Sequence, residues 1–254
     1  MYTIAVCNQK GGVGKSSSVL AVGSCLSRSG YRVLYIDADP QSNLSSTLAD
    51  EEPENGLYDV LKGKKITDAI ITAKNGHILT ADPRLAEMNT NTRADLRTLK
   101  SALEAVKRAY DVVLIDCPPN LGIMTMYGLF AADGVLCPLR LDRYSVDGLQ
   151  EFYQTYTEVK QTRKDVGIKS AFALLGIIVT HYNQRVTLNQ SIYDMLVRQA
   201  EDLKTKVYTP VRLTTAVDKW QYTGNIFAGN STAAQDYQQI VKDLVEDIKL
   251  KGSK

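Results

Sequence analysis

The chain reads as an α/β protein with a doubly wound, mainly parallel sheet flanked by helices, in one domain over residues 1–254. Three observations predict this. Short apolar runs alternate with longer stretches whose apolar residues recur at helical spacing. Several runs are apolar without a break, which suits parallel strands buried on both faces. A glycine-rich segment joins the first run to the first helical pattern, and Asp residues close two later runs.

Taken in order, Ile4 to Cys7 is the first strand, and a helix follows from Lys15 to about Ser29, where Gly30 stops it. The second strand is Arg32 to Ile36. Residues 50–75 are polar and carry little signal beyond a short helix at Leu57 to Leu61. Ile78-Leu79 with Ala81 suggests a short strand. Arg93 to Ala109 reads as an amphipathic helix with Leu96, Leu99, Leu103 and Val106 inward. Val112 to Ile115 and Val135 to Leu139 are buried strands. Between them and the end come a helix from Ser145 to about Gln161, with Val146, Leu149, Phe152, Tyr153 and Tyr156 inward, and the apolar run Phe172 to Val179, expected as a central strand. A helix from Thr187 to about Leu203, a short strand near Lys206 to Tyr208, and an amphipathic helix from about Ala233 to Ile248 complete the chain.

The segment Gln9-Lys10-Gly11-Gly12-Val13-Gly14-Lys15-Ser16 reads as a phosphate-binding loop. Glycines tolerate the unusual backbone that lets main-chain N–H groups approach a polyphosphate, and the helix behind turns its positive end toward the same charge. Gly11, Gly12, Val13, Gly14, Lys15, Ser16 and Ser17 would line the nucleotide. Lys15 is placed to reach the β- and γ-phosphates, and the Ser16 hydroxyl to hold Mg²⁺. The usual G-x-x-x-x-G-K-[ST] pattern wants glycine where this chain has Gln9. It has instead a second lysine, Lys10, with no role toward its own phosphates and free to serve a neighbouring subunit's nucleotide.

The second strand runs into Asp37-Ala38-Asp39-Pro40-Gln41. Beside a phosphate loop, one such carboxylate can orient an attacking water and another can support the Mg²⁺ shell. An aspartate capping an Asp-Pro turn fits the same residues. Asp116, closing the run Val112 to Ile115, has the Walker B pattern and would contact Mg²⁺ directly or through water. His181, in the polar rim after the long apolar run, reads as a hydrogen-bonded rim residue rather than a catalyst.

Composition narrows the class. With 44% apolar and 23% charged residues the chain is ordinary for a globular protein, and no run approaches the roughly 18 apolar residues of a membrane span. The N-terminus leads directly into a core strand without a signal-peptide pattern, so a cytoplasmic protein is expected. Cys7, Cys25, Cys117 and Cys137 are far apart and read as buried free thiols. A formal net charge of +2 leaves any nucleic-acid affinity to a local patch.

The loop with Lys10, the Asp37-to-Gln41 strand end, Ile115-Asp116-Cys117-Pro118-Pro119 and Asn120-Leu121-Gly122 together resemble the ParA family of DNA-partitioning ATPases, within the deviant Walker A group of P-loop NTPases. The likeness runs from about residue 2 to 160 and less tightly to the end. It implies ATP and Mg²⁺ as cofactors, with Lys10 as the lysine that crosses a nucleotide-sandwich homodimer to the partner's phosphates. Lys15 and Ser16 match the phosphate lysine and the metal ligand. Asp39 matches the carboxylate that positions water, with Asp37 behind it near the metal, and Asp116 the Walker B residue. It further implies non-specific DNA binding by the ATP dimer, association with the nucleoid, and a centromere-binding ParB-type partner that stimulates hydrolysis. Arg185 matches one DNA-contacting arginine. The family's proline-arginine-asparagine segment is replaced here by Thr209 to Thr214, which leaves the adenine contacts unassigned and makes Arg212 and Lys219 the substitute DNA cations.

Rival readings meet obstacles. A MinD-type membrane switch needs an amphipathic tail, and Lys249 to Lys254 offers little to insert. A redox iron protein needs cluster cysteines in glycine-rich loops. A dethiobiotin- or cobyrinate-type ligase needs a substrate motif that the chain does not display. Only eight residues precede Gln9, so an N-terminal helix-turn-helix repressor domain is not expected. A relative that positions a non-DNA cargo would have the same ATPase.

Overall fold

The computed structural model describes residues 1–89, 96–229 and 231–250, and in them one seven-stranded sheet organises the chain. The strands are β1 (Tyr2–Val6), β2 (Val33–Asp37), β3 (Ile70–Ala73), β4 (Gly76–Leu79), β5 (Val112–Asp116), β6 (Gly134–Arg140) and β7 (Ala173–Thr180), in the order β3-β4-β2-β5-β1-β6-β7. Every neighbouring pair is parallel except the hairpin β3–β4. The helices are α1 (Lys15–Arg28), α2 (Asn43–Leu48), α3 (Leu57–Leu61), α4 (Thr98–Glu104), α5 (Ile123–Ala131), α6 (Ser145–Asp165), α7 (Thr187–Asp202), α8 (Ala216–Thr223) and α9 (Thr232–Asp247). The sheet is mainly parallel and covered by helices on both faces, as the run-and-helix alternation predicts.

Alternate residues along β1 and Cys7, which follows it, feed two separate cores. Ile4 and Val6 join Val19, Leu26, Tyr237, Ile240 and Leu244 from α1 and α9. Ala5 and Cys7 join Leu99, Leu103, Phe130, Leu149 and Phe152 from α4, α5 and α6. This is the two-faced burial that an unbroken apolar strand encodes. The four cysteines are buried and free. Among the described residues no helix is long and apolar enough to cross a membrane.

The structure corrects several expectations. β7, expected in the centre, lies last in the strand order. Its edge is covered by the extended segment 206–213, where Ile177 N donates to Lys206 O at 2.8 Å and Val211 N to Val179 O at 2.8 Å. The short strand expected at Lys206 to Tyr208 is a single bridge, Ile177 to Val207. The Arg93-to-Ala109 helix is shorter: α4 spans Thr98–Glu104 and turns continue to Ala109, while Arg93 lies outside the described residues. Its stripe of Leu99, Leu103 and Val106 is buried as expected. On α6, Leu149, Phe152 and Tyr156 are buried and Tyr153 is half-buried, and the side chain of Val146 is outside the description. β3, α2, α5 and α8 are additions to the sequence reading.

The hairpin β3–β4 depends on Gly76. Its φ is 142°, and a Cβ there would lie 2.5 Å from the carbonyl oxygen of Val33, a backbone atom of the neighbouring strand. Backbone cannot yield as a side-chain tip can. Gly76→Ala is therefore expected to destabilise the chain by about 2 kcal/mol, read as a lower midpoint in urea denaturation; an unchanged midpoint would contradict the packing described.

Candidate active site

Strand β1 ends at the centre of the sheet, between β5 and β6, and the chain turns there into the loop at 9–14 before α1 begins at Lys15. Gly12 and Gly14 have φ of 69° and 82°, left-handed values that a Cβ makes costly. Asn8 ties the loop to the sheet. Its Nδ2 donates to Pro138 O at 2.7 Å and its Oδ1 accepts from Lys10 N at 2.9 Å. Thr180 fastens the other side, its hydroxyl donating to Val13 O at 2.9 Å.

The two lysines of the loop diverge. Lys15 is 7% exposed and curls over the loop, its Nζ donating to Lys10 O at 3.0 Å. Burial lowers its pKa, and Asp116 leads the groups that oppose this. Lys10 points outward with its side chain about half exposed, and it pairs with Asp142 in the loop after β6.

Asp37 and Asp116 end adjacent strands as direct partners, Asp37 beside Asp116 and Asp116 beside Val6. Parallel register thus lines up two carboxylates and the start of the phosphate loop. Asp37 is fully buried and accepts from Asp39 N at 3.1 Å, Ser45 N at 2.8 Å and Ser45 Oγ at 2.7 Å. Burial pushes its pKa up to about 6 against those hydrogen bonds. Asp116 is 1% exposed, and neither of its oxygens has a hydrogen-bond partner of normal geometry. Burial and then Asp37 push its pKa well above the usual carboxylate range, and the Ser16 hydroxyl facing it pulls the other way. Asp39 is 9% exposed, and its Oδ1 accepts from Gln41 N at 3.0 Å.

A cleft of about 720 Å³ joins these groups, bordered by Gly11, Gly12, Gly14 to Ser17, Asp39, Pro119, His181, Asp218 and Gln221. A smaller hollow of about 290 Å³ opens beside it, walled by Thr180, His181, Val211, Leu213 and Val217. Among the described residues no three His, Cys, Asp or Glu side chains form a metal cage.

The structure therefore gathers Gly11, Gly12, Gly14, Lys15, Ser16, Ser17 and Asp39 around one cleft, with Asp37 and Asp116 beneath it. Val13 belongs to the loop but is itself buried. Arg185 is exposed in the turn after β7, and Lys219 is exposed on α8. Arg212 differs from both. Its guanidinium is committed to the buried carboxylate of Asp236, with Nη2–Oδ1 at 2.7 Å and Nε–Oδ2 at 3.0 Å, so its charge is already neutralised and it staples the 206–213 segment to α9. Sequence reasoning missed Asn8, Ser45, Asp142 and the α8 side chains bordering the cleft, and placed Thr180 in the polar rim without its bond to the loop. Only α8 had a usable signal, the spacing of Ala216, Val217 and Trp220 before Gly224.

A family model described as an AAA domain matches residues 1–168. The chromosome-partitioning ATPase Soj of Treponema pallidum is 32% identical over 253 residues, covering 96% of this chain and 96% of that protein. The sporulation initiation inhibitor protein Soj of Bacillus subtilis is 36% identical over 225 residues, covering 84% and 86%. A crystal structure of cobyrinic acid a,c-diamide synthase from Mycobacterium smegmatis with bound ADP and magnesium superposes with a TM-score of 0.82 at 29% identity, covering 98% and 96%. On the loop geometry, the paired strand-end carboxylates and these likenesses, the chain belongs to the ParA family of ATPases.

Proposed function

We propose that this ATPase is a partition switch: ATP with Mg²⁺ joins two copies in a sandwich dimer, the dimer binds DNA without sequence preference, and a ParB-type partner triggers hydrolysis during segregation of plasmid or chromosomal DNA. The observation that carries this reading is the divergence of the two loop lysines. Lys15 is folded inward over its own loop, whereas Lys10 is half exposed on the outer rim, its ammonium paired among the described residues with Asp142 alone. A cation in that position can reach phosphates of a facing copy. Large apolar side chains left exposed near the same edge of the sheet, Leu121, Tyr144, Val186, Leu213 and Tyr222, suit contact with a second copy.

The residues present fit Mg²⁺. Asp116 is a buried acceptor without a partner, beside the Ser16 hydroxyl, and a metal held by phosphate, water and one or two protein oxygens needs no cage. When bound, the ion would neutralise charge on the β- and γ-phosphates. The chain's own residues do the rest. Main-chain N–H groups from Gly11 to Ser17 cradle the phosphates, and Lys15 leaves the Lys10 carbonyl for them. Asp37, held by Ser45, fixes the Asp39 turn by accepting from Asp39 N. Asp39 has one oxygen on Gln41 N, and the other accepts a hydrogen bond from the attacking water and orients it. Lys10 of the facing copy adds positive charge as the γ-phosphate departs.

For DNA, the exposed Arg185 and Lys219 are the cations proposed, and Arg212 contributes as a staple rather than a contact. The proposed setting is the cytoplasm, on the nucleoid. A synthase activity, suggested by the name of the Mycobacterium smegmatis neighbour, would release phosphate only with a small-molecule acceptor, and phosphate release from ATP alone separates the two.

Light scattering tests dimerisation. The 28.0 kDa chain is expected to double in mass with ATP and Mg²⁺, Lys10→Ala and Lys15→Ala to stay single, and Asp39→Ala to accumulate as the dimer with phosphate release reduced at least about 100-fold. An unchanged mass for the unaltered chain in saturating ATP would overturn the proposal.

Asp116 gives a second test. Its folded pKa is raised, so the native site disfavours the charged form. That cost is absent below the unfolded pKa and complete above the folded one. Asp116→Asn is therefore expected to raise the melting midpoint of the nucleotide-free chain at pH 8, to do so less at pH 5, and to abolish Mg²⁺-dependent hydrolysis. A variant less stable at pH 8 than at pH 5, relative to the parent, would contradict the charge burial described.

A further inference from the structure

β7 ends at Thr180, whose single hydroxyl proton goes to Val13 O at 2.9 Å; the other carbonyl in reach, Leu139 O at 3.4 Å, is also an acceptor only. Thr180 Oγ1 therefore presents lone pairs to its next neighbour. That neighbour is His181, with Nδ1 at 3.1 Å. Nδ1 must carry the proton and donate it, which leaves Nε2 of a neutral ring as an acceptor. Burial and then Arg140 lower the His181 pKa, against Asp218, and so favour the neutral ring. Among the described residues His181 has no second hydrogen-bond partner.

The ring stands where the phosphate cleft meets the smaller hollow and borders both. Its backbone has φ 55°, a left-handed conformation that costs a residue with a Cβ of order 1 kcal/mol and is retained where surrounding structure enforces it. The enforcement is visible on either side. Thr180 is bonded to the phosphate loop, and Tyr182 N donates to Val211 O at 2.9 Å while Leu213 N donates to Tyr182 O at 2.9 Å. His181 is thus fixed between the loop and the wall of the hollow, with one unused acceptor.

We infer that His181 is a nucleoside-recognition residue, its Nε2 accepting a hydrogen bond from a donor on the bound nucleotide, either the 6-amino group of the base or a ribose hydroxyl. This rests on the ATP site proposed above. It supplies a base-side or sugar-side contact where the chain departs from its family's adenine segment. Because one hydroxyl, that of Thr180, holds both Val13 and His181, the same atom links nucleoside recognition to the shape of the phosphate loop.

The test is calorimetric binding to the full chain with Mg²⁺, using ATP, 2′-deoxy-ATP, 3′-deoxy-ATP and the purine riboside triphosphate that lacks the 6-amino group. His181→Asn is the informative variant, since asparagine tolerates the left-handed backbone and can still donate to Thr180 but does not extend to the Nε2 position. It is expected to bind ATP about 3- to 10-fold more weakly than the parent. The parent is expected to lose the same factor with one of the analogues, and the variant to lose nothing further with that analogue, which also identifies the donor. ATP binding by His181→Asn equal to the parent's, or an equal loss with ATP and all three analogues, would overturn the inference. Failure of the parent itself to bind ATP would instead remove the nucleotide site on which it rests.

Discussion

Two carboxylates, Asp37 and Asp116, stand side by side at the ends of neighbouring parallel strands, buried beneath a loop of backbone N–H groups. Negative charge in such a place is costly unless something positive arrives. Asp37 is partly relieved by three hydrogen bonds from Ser45 and Asp39, and Asp116 only by the Ser16 hydroxyl that faces it without a hydrogen bond of normal geometry. The free chain thus holds an acceptor that its own side chains do not satisfy. Lys15, the nearest fixed cation, is turned to a carbonyl oxygen of its own loop. Phosphate with a divalent ion would answer both deficits at once, giving Lys15 an anion and Asp116 a cation.

Much of the fold serves that alignment. β1, β5 and β2 must run parallel and in register for Val6, Asp116 and Asp37 to end together. Asn8 and Thr180 hold the loop from opposite sides, through Pro138 and Val13. The 206–213 segment covers the β7 edge, and Arg212 fastens that segment to α9 through Asp236, which in turn fixes the wall beside His181. Lys10 is the exception. It faces away from the buried charges and pairs with the half-buried Asp142, a contact that a competing phosphate can displace.

What could be read in the sequence follows from how local each signal is. The loop at 9–16 and the aspartates at strand ends are contiguous patterns whose chemistry follows from residue type and spacing, and the strands β1, β2, β5 and β6 are apolar runs that buried parallel strands require. Neighbourhood across the sheet is not local. The run at Phe172 to Val179 looks central because both its faces are covered, yet β7 is last in the order and its edge is closed by irregular chain. Arg212 reads in the sequence as an uncommitted cation because its partner, Asp236, lies far along the chain, whereas His181 stands in the rim with a hydrogen bond to Thr180, as its position suggests. β3, in a polar stretch with four residues, has too little pattern to announce itself. α5 has no amphipathic stripe to mark it, its nine residues being apolar almost throughout.

A site organised around unneutralised carboxylates should respond to the metal as well as to the nucleotide. The most direct measurement is the melting midpoint of the chain with saturating ATP in the presence of Mg²⁺, compared with ATP and a chelator, in the parent and in Asp116→Asn. The parent is expected to gain several degrees more with Mg²⁺ than without, about what a 10- to 100-fold tighter complex provides, and the variant to lose that difference. Equal gains with and without Mg²⁺ in the parent would contradict the view that the buried Asp116 carboxylate is placed to receive the ion.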